Sequence, residues 1–366
     1  MIIKNGFVFQ EDKTFIQKDL YINSSKIVAS LSEASDDKII DADGMLILPG
    51  LIDIHSHGAV GHDFSDADID GLKEILKYEY QHGITSYCPT SMTMEKEQLR
   101  KIFNTVKDWR DEKGFSHLAG INMEGPFIDP IKKGAHREEC IILPNIAFFK
   151  ECNIICGGKI RLVTIAPNTN GAMQFICSLK NDVVISLGHT STDYKTARLA
   201  LETGASHITH LFNGMSPFEH RNPGLIGAAA EDNNCMAELI CDGIHVHESM
   251  IRAAFKLFPE RIVLISDSIR ATGMKNGTYD LGGQKVTVNE KLATLDDKTI
   301  AGSVTNLFDC MRRAIEFGIP MEEAIAAATI NPAKSIGIYN ETGSLTPGKR
   351  ADIIITDQKL NLIHVI

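Results

Sequence analysis

The chain predicts an α/β fold: a TIM (β/α)8 barrel with a small β-sandwich domain built from both termini. Eight short β-branched runs recur through its middle, with amphipathic helical patterns between most of them. Its two ends read as short strands instead. Nearly continuous apolar strands that alternate with one-faced helices indicate a parallel sheet covered by helices. Eight such units over about 220 residues fit a barrel in size and count, whereas a doubly wound sheet, the runner-up, usually has fewer strands.

Residues 1 to about 46 carry "MIIKNGFVF", "DLYINSSKIVAS" and "KIIDADGMLIL", separated by the turn signals Asn5-Gly6 and Asp43-Gly44. The barrel is expected over 47–340, on the runs "LILPGLIDIH", "GITSYCPTS", "HLAGINMEG", "IRLVTIAPN", "DVVISLGHT", "HITHLFNG", "MAELICDGIHV" and "RIVLISDS". Apolar periodicity predicts helices over Asp68–His82, Lys96–Glu112, Asp193–Thr203 and Glu248–Phe258, then about Thr305–Phe317 and Met321–Gly337. Residues 276–302 read as a β-hairpin insertion. Residues 341–366, with the Pro347-Gly348 turn and "ADIIITD", return to strand and complete the small domain.

Composition narrows the function classes. The 366 residues are 43% hydrophobic, enough for a sizeable core, and no apolar run is long enough to span a membrane. The opening residues carry charges where a signal peptide would be apolar, so a cytoplasmic enzyme is expected. A net charge of −10 argues against a nucleic-acid partner but not against a small anion, which local donors bind. The cysteines show no zinc-type pairing and are expected reduced and buried.

In a barrel the C-terminal strand ends build the active site, and polar residues collect there. The first run ends in His55 and His57, the third in Glu124, and the fifth in His189. The sixth ends in His210, the seventh in His245 and His247, and the eighth in Asp267. Taken singly, each has a bland reading. The HxH pair could be satisfied or solvated, Glu124 could face water, Asp267 could cap a helix, and His247 reads as a helix start. Matching placement at several strand ends favours the sharper reading, a site for zinc, iron or manganese.

Together these residues resemble the amidohydrolase superfamily. The motifs "MEGPF", "KKGAH", "GHT", "HLFNGM", "RNPG" and "DGIHV" are more narrowly similar to its N-acetylglucosamine-6-phosphate deacetylase family. The fourth run ends "TIAPN", without the lysine that bridges two metals in many members, and Glu124 supplies the carboxylate instead.

The resemblance implies metal-dependent removal of acetate from N-acetyl-D-glucosamine 6-phosphate, giving D-glucosamine 6-phosphate. It implies one divalent ion on Glu124, His189 and His210, and a second on His55 and His57; two ions are favoured. Asp267 is implied as general acid/base. His136 is implied as the group beside the acetyl carbonyl, although spacing alone reads it as a loop histidine. Asn213, the Gly214 N–H, His245 and Arg221 are implied as phosphate donors. Arg221 alone would pass for a solvated charge, but in the family it reaches the neighbouring subunit, which implies a homodimer. Ser303 lies near the family's substrate contacts. The alternatives are an amidohydrolase acting on an N-acyl amino acid or cyclic amide, and a non-catalytic barrel, which should have lost ligands.

Overall fold

A computed structural model describes residues 1–34 and 38–366. Eight parallel strands form the barrel: β1 (Leu51–Ser56), β2 (Ile84–Ser91), β3 (Ile121–Phe127), β4 (Ile160–Ile165), β5 (Val184–Leu187), β6 (His207–Ile208), β7 (Met236–Ile240) and β8 (Ile262–Ile265). Each pairs with the next in chain order, from β1 against β2 to β7 against β8. The β8–β1 seam is held at the strand ends, where His55 O accepts from Asp267 N (2.9 Å) and Ser268 O accepts from His57 N (2.8 Å).

The register of β1 matters for everything that follows. Tyr87 pairs with Asp53 but Pro89 pairs with Ser56, so β1 carries one residue more than its neighbour between those pairs. Such a bulge reverses the in–out alternation beyond it. Before it, Leu51 packs toward the helices while Ile52 and Ile54 join the apolar cluster with Leu162, Ile240 and Val263. After it, His55 and His57 gather with Glu124 of β3. An unbroken strand would send both imidazoles to the side of Leu51. The Asp53 carboxylate braces the bulge, accepting from His55 N (3.2 Å) and Ser266 N (3.5 Å).

The helices pack their apolar stripes on the barrel. Helix Ile69–Gln81 starts on an Asp68 cap and helix Tyr194–Thr203 on an Asp193 cap. Two expected helices differ in extent. The one beginning at Lys96 ends at Thr105: Leu99, Ile102, Phe103 and the capping Val106 are buried, and residues 107–112 add only the half-buried Trp109, not an apolar stripe. The span 321–337 divides into Met321–Ala328 and Ile330–Ser335, broken at Thr329. Pro332 cannot donate to a continuing helix and would crowd the carbonyl of Ala328.

The two termini build a sandwich of two sheets. A four-stranded sheet holds Ile2–Lys4, Leu20–Asn23, Lys26–Val28 and Ile39–Asp41. A five-stranded sheet joins Phe7–Phe9, Phe15–Gln17 and Leu46–Pro49 to the C-terminal Ile353–Thr356 and Leu362–Val365. Ile3, Val8, Ile22, Ile27, Ile47, Ile353 and Ile355 fill the space between. The run "LILPGLIDIH" is therefore two strands divided at Gly50, a few residues beyond the break read from sequence. A side chain there would lie 2.1 Å from Thr85 Oγ1, so only glycine lets the chain pass from sandwich to barrel. The segment read as a hairpin insertion is a three-stranded antiparallel sheet, Gly277–Leu281, Gln284–Asn289 and Leu292–Thr294. Among the described residues, no helix is long and apolar enough to cross a membrane.

Candidate active site

The C-terminal ends of the strands converge on a cavity of about 280 Å³, lined by His57, Glu124, His136, His189, His210 and Asp267, among others. Glu124 stands at its centre. Its Oε1 lies 2.9 Å from His210 Nε2, 3.1 Å from His189 Nε2 and 3.4 Å from His55 Nε2. Its Oε2 lies 3.1 Å from His57 Nε2 and 3.4 Å from His136 Nε2. Asp267 Oδ1 closes the group, 3.3 Å from His57 Nε2 and 3.6 Å from His55 Nε2.

What each imidazole can do follows from the partner of its other nitrogen. His57 Nδ1 faces Thr90 O (3.2 Å), His189 Nδ1 faces Lys132 O (2.8 Å) and His210 Nδ1 faces Asn213 O (3.1 Å). His55 Nδ1 faces Glu238 Oε2 at 2.8 Å. Each Nδ1 must donate to these acceptors, so in the neutral ring each Nε2 presents a lone pair to the cavity. His136 is the reverse. Its Nδ1 accepts from Thr93 N (3.1 Å), which leaves the proton on Nε2 and makes it a donor into the cavity. In the neutral state four rings thus turn a lone pair to the cavity and the fifth turns a hydrogen-bond donor.

This donor set fits a divalent cation. His189 Nε2 and His210 Nε2 face each other at 3.0 Å, and two lone pairs at that distance repel unless something positive lies beside them. His55 Nε2 is buried with no hydrogen-bond partner. His55, His57 and Glu124 place their ligand atoms close enough to share one ion. Glu124, His136 and His189 also lie that close, but the Thr93 contact removes His136 as a ligand.

The electrostatics point the same way. Burial pushes the Asp267 carboxyl up, but the His57 hydrogen bond and the nearby imidazole charges outweigh it and hold it at about 2. Burial alone would discharge His57, yet Asp267 and Glu124 raise it to about 10. Two buried carboxylates demand positive charge, which imidazolium or a metal supplies. His136 goes the other way, brought down to about 4 chiefly by burial, so it donates as a neutral ring.

Backbone strain accompanies the cluster. His189 (φ 45°), His210 (φ 24°) and Asp267 (φ 50°) all sit in the left-handed region, which a non-glycine residue adopts at a cost of about 1–3 kcal/mol. The strain turns each side chain inward as its strand ends. Gly214 (φ 59°) passes so close that a Cβ would lie 3.0 Å from His189 Nδ1.

The phosphate donors expected within one chain line the same cavity: Asn213, Gly214 and His245. His245 is held by Asp242, with Nδ1 and Oδ2 at 2.7 Å. Arg221 is not brought to the cavity in this chain; it is exposed and contacts His220. His247 caps helix Glu248–Leu257 from the surface. Ser303 braces the Asp267 loop, donating from its backbone N–H to Asp267 O (2.7 Å) and from Oγ to Ser266 O (2.6 Å). All the cysteines are free, and only Cys177 is exposed.

The sequence profile of the amidohydrolase family matches residues 46–366. The chain belongs to the amidohydrolase family. Among curated members, the N-acetylglucosamine-6-phosphate deacetylase of Bacillus subtilis is 36% identical, the alignment covering all of this chain and 95% of that protein. The N-acetylgalactosamine-6-phosphate deacetylase of Escherichia coli O157:H7 is 33% identical over 89% of this chain and 88% of its own. A Mycobacterium smegmatis N-acetyl-D-glucosamine-6-phosphate deacetylase mutant, solved in complex with N-acetyl-D-glucosamine-6-phosphate, superposes with a TM-score of 0.91. It is 31% identical, with 100% of this chain and 97% of that one covered.

Three residues outside the sequence reading shape this amidohydrolase site: Asp53 at the bulge, Thr93 behind His136 and Glu238 behind His55. Glu238 had a signal. It is a lone carboxylate inside the apolar run "MAELIC", and a buried charge needs partners. Thr93 acts through its backbone and had none.

Proposed function

We propose that this chain is an amide hydrolase that removes acetate from N-acetyl-D-glucosamine 6-phosphate, giving D-glucosamine 6-phosphate. One observation carries the reading: four imidazoles around Glu124 are oriented so that each neutral ring turns a lone pair to the cavity, while the neutral ring of His136 turns an N–H. That arrangement suits a cation-assisted attack on a carbonyl whose oxygen has its own hydrogen-bond donor. The full-length likeness to N-acetylglucosamine-6-phosphate deacetylases supports the substrate.

Glu124, His189 and His210 would hold the principal ion, and His55 and His57 would hold a second. Zinc, iron(II) and manganese all suit this ligand set. What a divalent cation supplies in such a site is a lowered pKa for water and electron withdrawal from the acyl carbonyl. Asp267, ionised, takes a proton from water as its oxygen attacks the acetyl carbon. His136 Nε2–H donates to the developing oxyanion. As the C–N bond breaks, Asp267 returns the proton to the leaving nitrogen, releasing acetate and the amine. Asn213, the Gly214 N–H and His245 receive the phosphate. Arg221 completes that group from the second subunit of a homodimer. The cytoplasm, where phosphorylated sugars are handled, is the proposed location.

The test is acetate release, with and without chelator, from N-acetylglucosamine 6-phosphate, from its unphosphorylated form and from N-acetylgalactosamine 6-phosphate. Chelator-sensitive turnover that falls at least tenfold without the phosphate is expected. Indifference to the phosphate overturns the reading and favours an N-acyl amino acid or cyclic amide. The Escherichia coli relative makes the galactosamine isomer the second reading, and it stands if that isomer turns over faster.

A further inference from the structure

Glu238 lies on β7 between Ala237 and Leu239, which pack toward the helices, so its own side chain enters the barrel, where it is fully buried. A single oxygen, Oε2, accepts two hydrogen bonds. One comes from the His55 ring (Nδ1, 2.8 Å) and the other from the His210 backbone N–H (3.0 Å). The Glu238 carbonyl then takes the Leu211 N–H at 2.8 Å, fixing the next residue of the same loop. The second carboxylate oxygen, Oε1, has no hydrogen-bond partner and lies 3.8 Å from His207 Nδ1, a ring already engaged by Ser186 Oγ at 3.1 Å.

The contrast with the other rings is what gives this residue meaning. His57, His189 and His210 are each oriented by a neutral backbone carbonyl. Among the four, only His55 is oriented by a carboxylate. A carboxylate behind an imidazole fixes its tautomer and makes the opposite nitrogen a stronger donor. A glutamine of the same shape could accept both hydrogen bonds, so filling space and pairing donors do not by themselves require the charge.

We propose that Glu238 is a positioning residue that makes His55 a competent cation ligand and ties it to the loop carrying His210, so that one buried carboxylate sets both halves of the site. The proposal rests on the cation-binding reading of the His and Glu124 cluster. Glu238 itself touches neither cation nor substrate.

Full-length protein, stripped with chelator and titrated with zinc alone by calorimetry, tests it. Apo-state melting is measured alongside. Wild type binds two ions per subunit. Glu238→Gln, which keeps the shape, weakens the weaker class by about 10- to 100-fold and leaves the tighter one within about threefold. Glu238→Ala loses the weaker class and also weakens the tighter one, because the His210 N–H is left unpaired. Adding Glu238→Gln to His55→Ala changes zinc binding no further, as expected for a residue that acts through His55. A merely structural Glu238 would lower the apo melting temperature while zinc stoichiometry and affinity stayed at wild type, and that result overturns the proposal. If Glu238→Ala does not fold, Glu238→Gln decides. Wild type that takes up no zinc, iron(II) or manganese overturns the cation reading itself, and this proposal with it.

Discussion

At the scale of single residues, the site is decided by which ring nitrogen carries a proton. His136 and His189 are both buried beside Glu124, with ring centroids 4.6 Å apart, yet one accepts from a backbone N–H and the other donates to a carbonyl. Their substitutions should therefore fail differently. His136→Ala should cut kcat by about 10²- to 10³-fold while metal content stays at wild type. His189→Ala should lose the metal. Elemental analysis paired with steady-state rates separates them, and metal loss in the His136 variant would refute the tautomer assignment. Asp267→Asn should lower kcat by about 10²- to 10⁴-fold with the fold intact. An unchanged rate would remove Asp267 from the proton transfers.

At the scale of elements, strand ends and the inserted sheet divide the work. The strand ends present the histidine and carboxylate cluster, while the sheet over 277–294 lends Leu281 to the cavity wall and steadies a neighbouring loop. Gln284 donates to Ala135 O, next to His136. Leu281 of that sheet, with Met92 and Ala135, makes the apolar side of the cavity, and these groups flank His136. An acyl carbonyl held by His136 would place its methyl group against them. Leu281→Ala should then raise kcat/KM for the N-propionyl substrate relative to the N-acetyl one by about tenfold, the value of roughly one methylene. No change in that ratio would place the acyl chain elsewhere. Helix extents and the Gly50 division show what local pattern misses here. Beyond Val106 only the half-buried Trp109 of the expected helix still meets the core, and Gly50 is required by a threonine from the next barrel strand.

At the scale of the whole molecule, the sandwich draws the two chain ends together. Glu11 accepts from Ser344 Oγ and Thr346 Oγ1, each at 2.7 Å, more than 330 residues away. Those hydrogen bonds, the largest influence, bring its carboxyl down from the usual 4.5 to about 2. A depressed carboxyl contributes stability that is complete above its unfolded value and is lost as pH falls through the folded one. Glu11→Gln should accordingly melt a few degrees below wild type at neutral pH, with the gap closing between about pH 4.5 and 2. A gap that persists at the acid end would assign the effect to packing. The carboxylate is half exposed, which keeps the expected effect small.

Much of this was legible in the sequence. Eight apolar runs, strand-rich ends and polar residues at the ends of those runs specify a barrel, because strand and helix periods and burial are written locally. Local chemistry also marked His55, His57, Glu124, His189, His210 and Asp267, since such side chains seldom cluster at apolar strand ends without a task. What sequence could not decide was orientation. Whether His55 and His57 face the cavity or the helices depends on a bulge defined against β2. Whether a ring is a ligand or a donor depends on partners far along the chain, such as Glu238 for His55, 183 residues on. Composition and period are properties of a segment. Register, tautomer and the pairing of buried charges are properties of what lies beside it, and only the closed barrel brings those neighbours together.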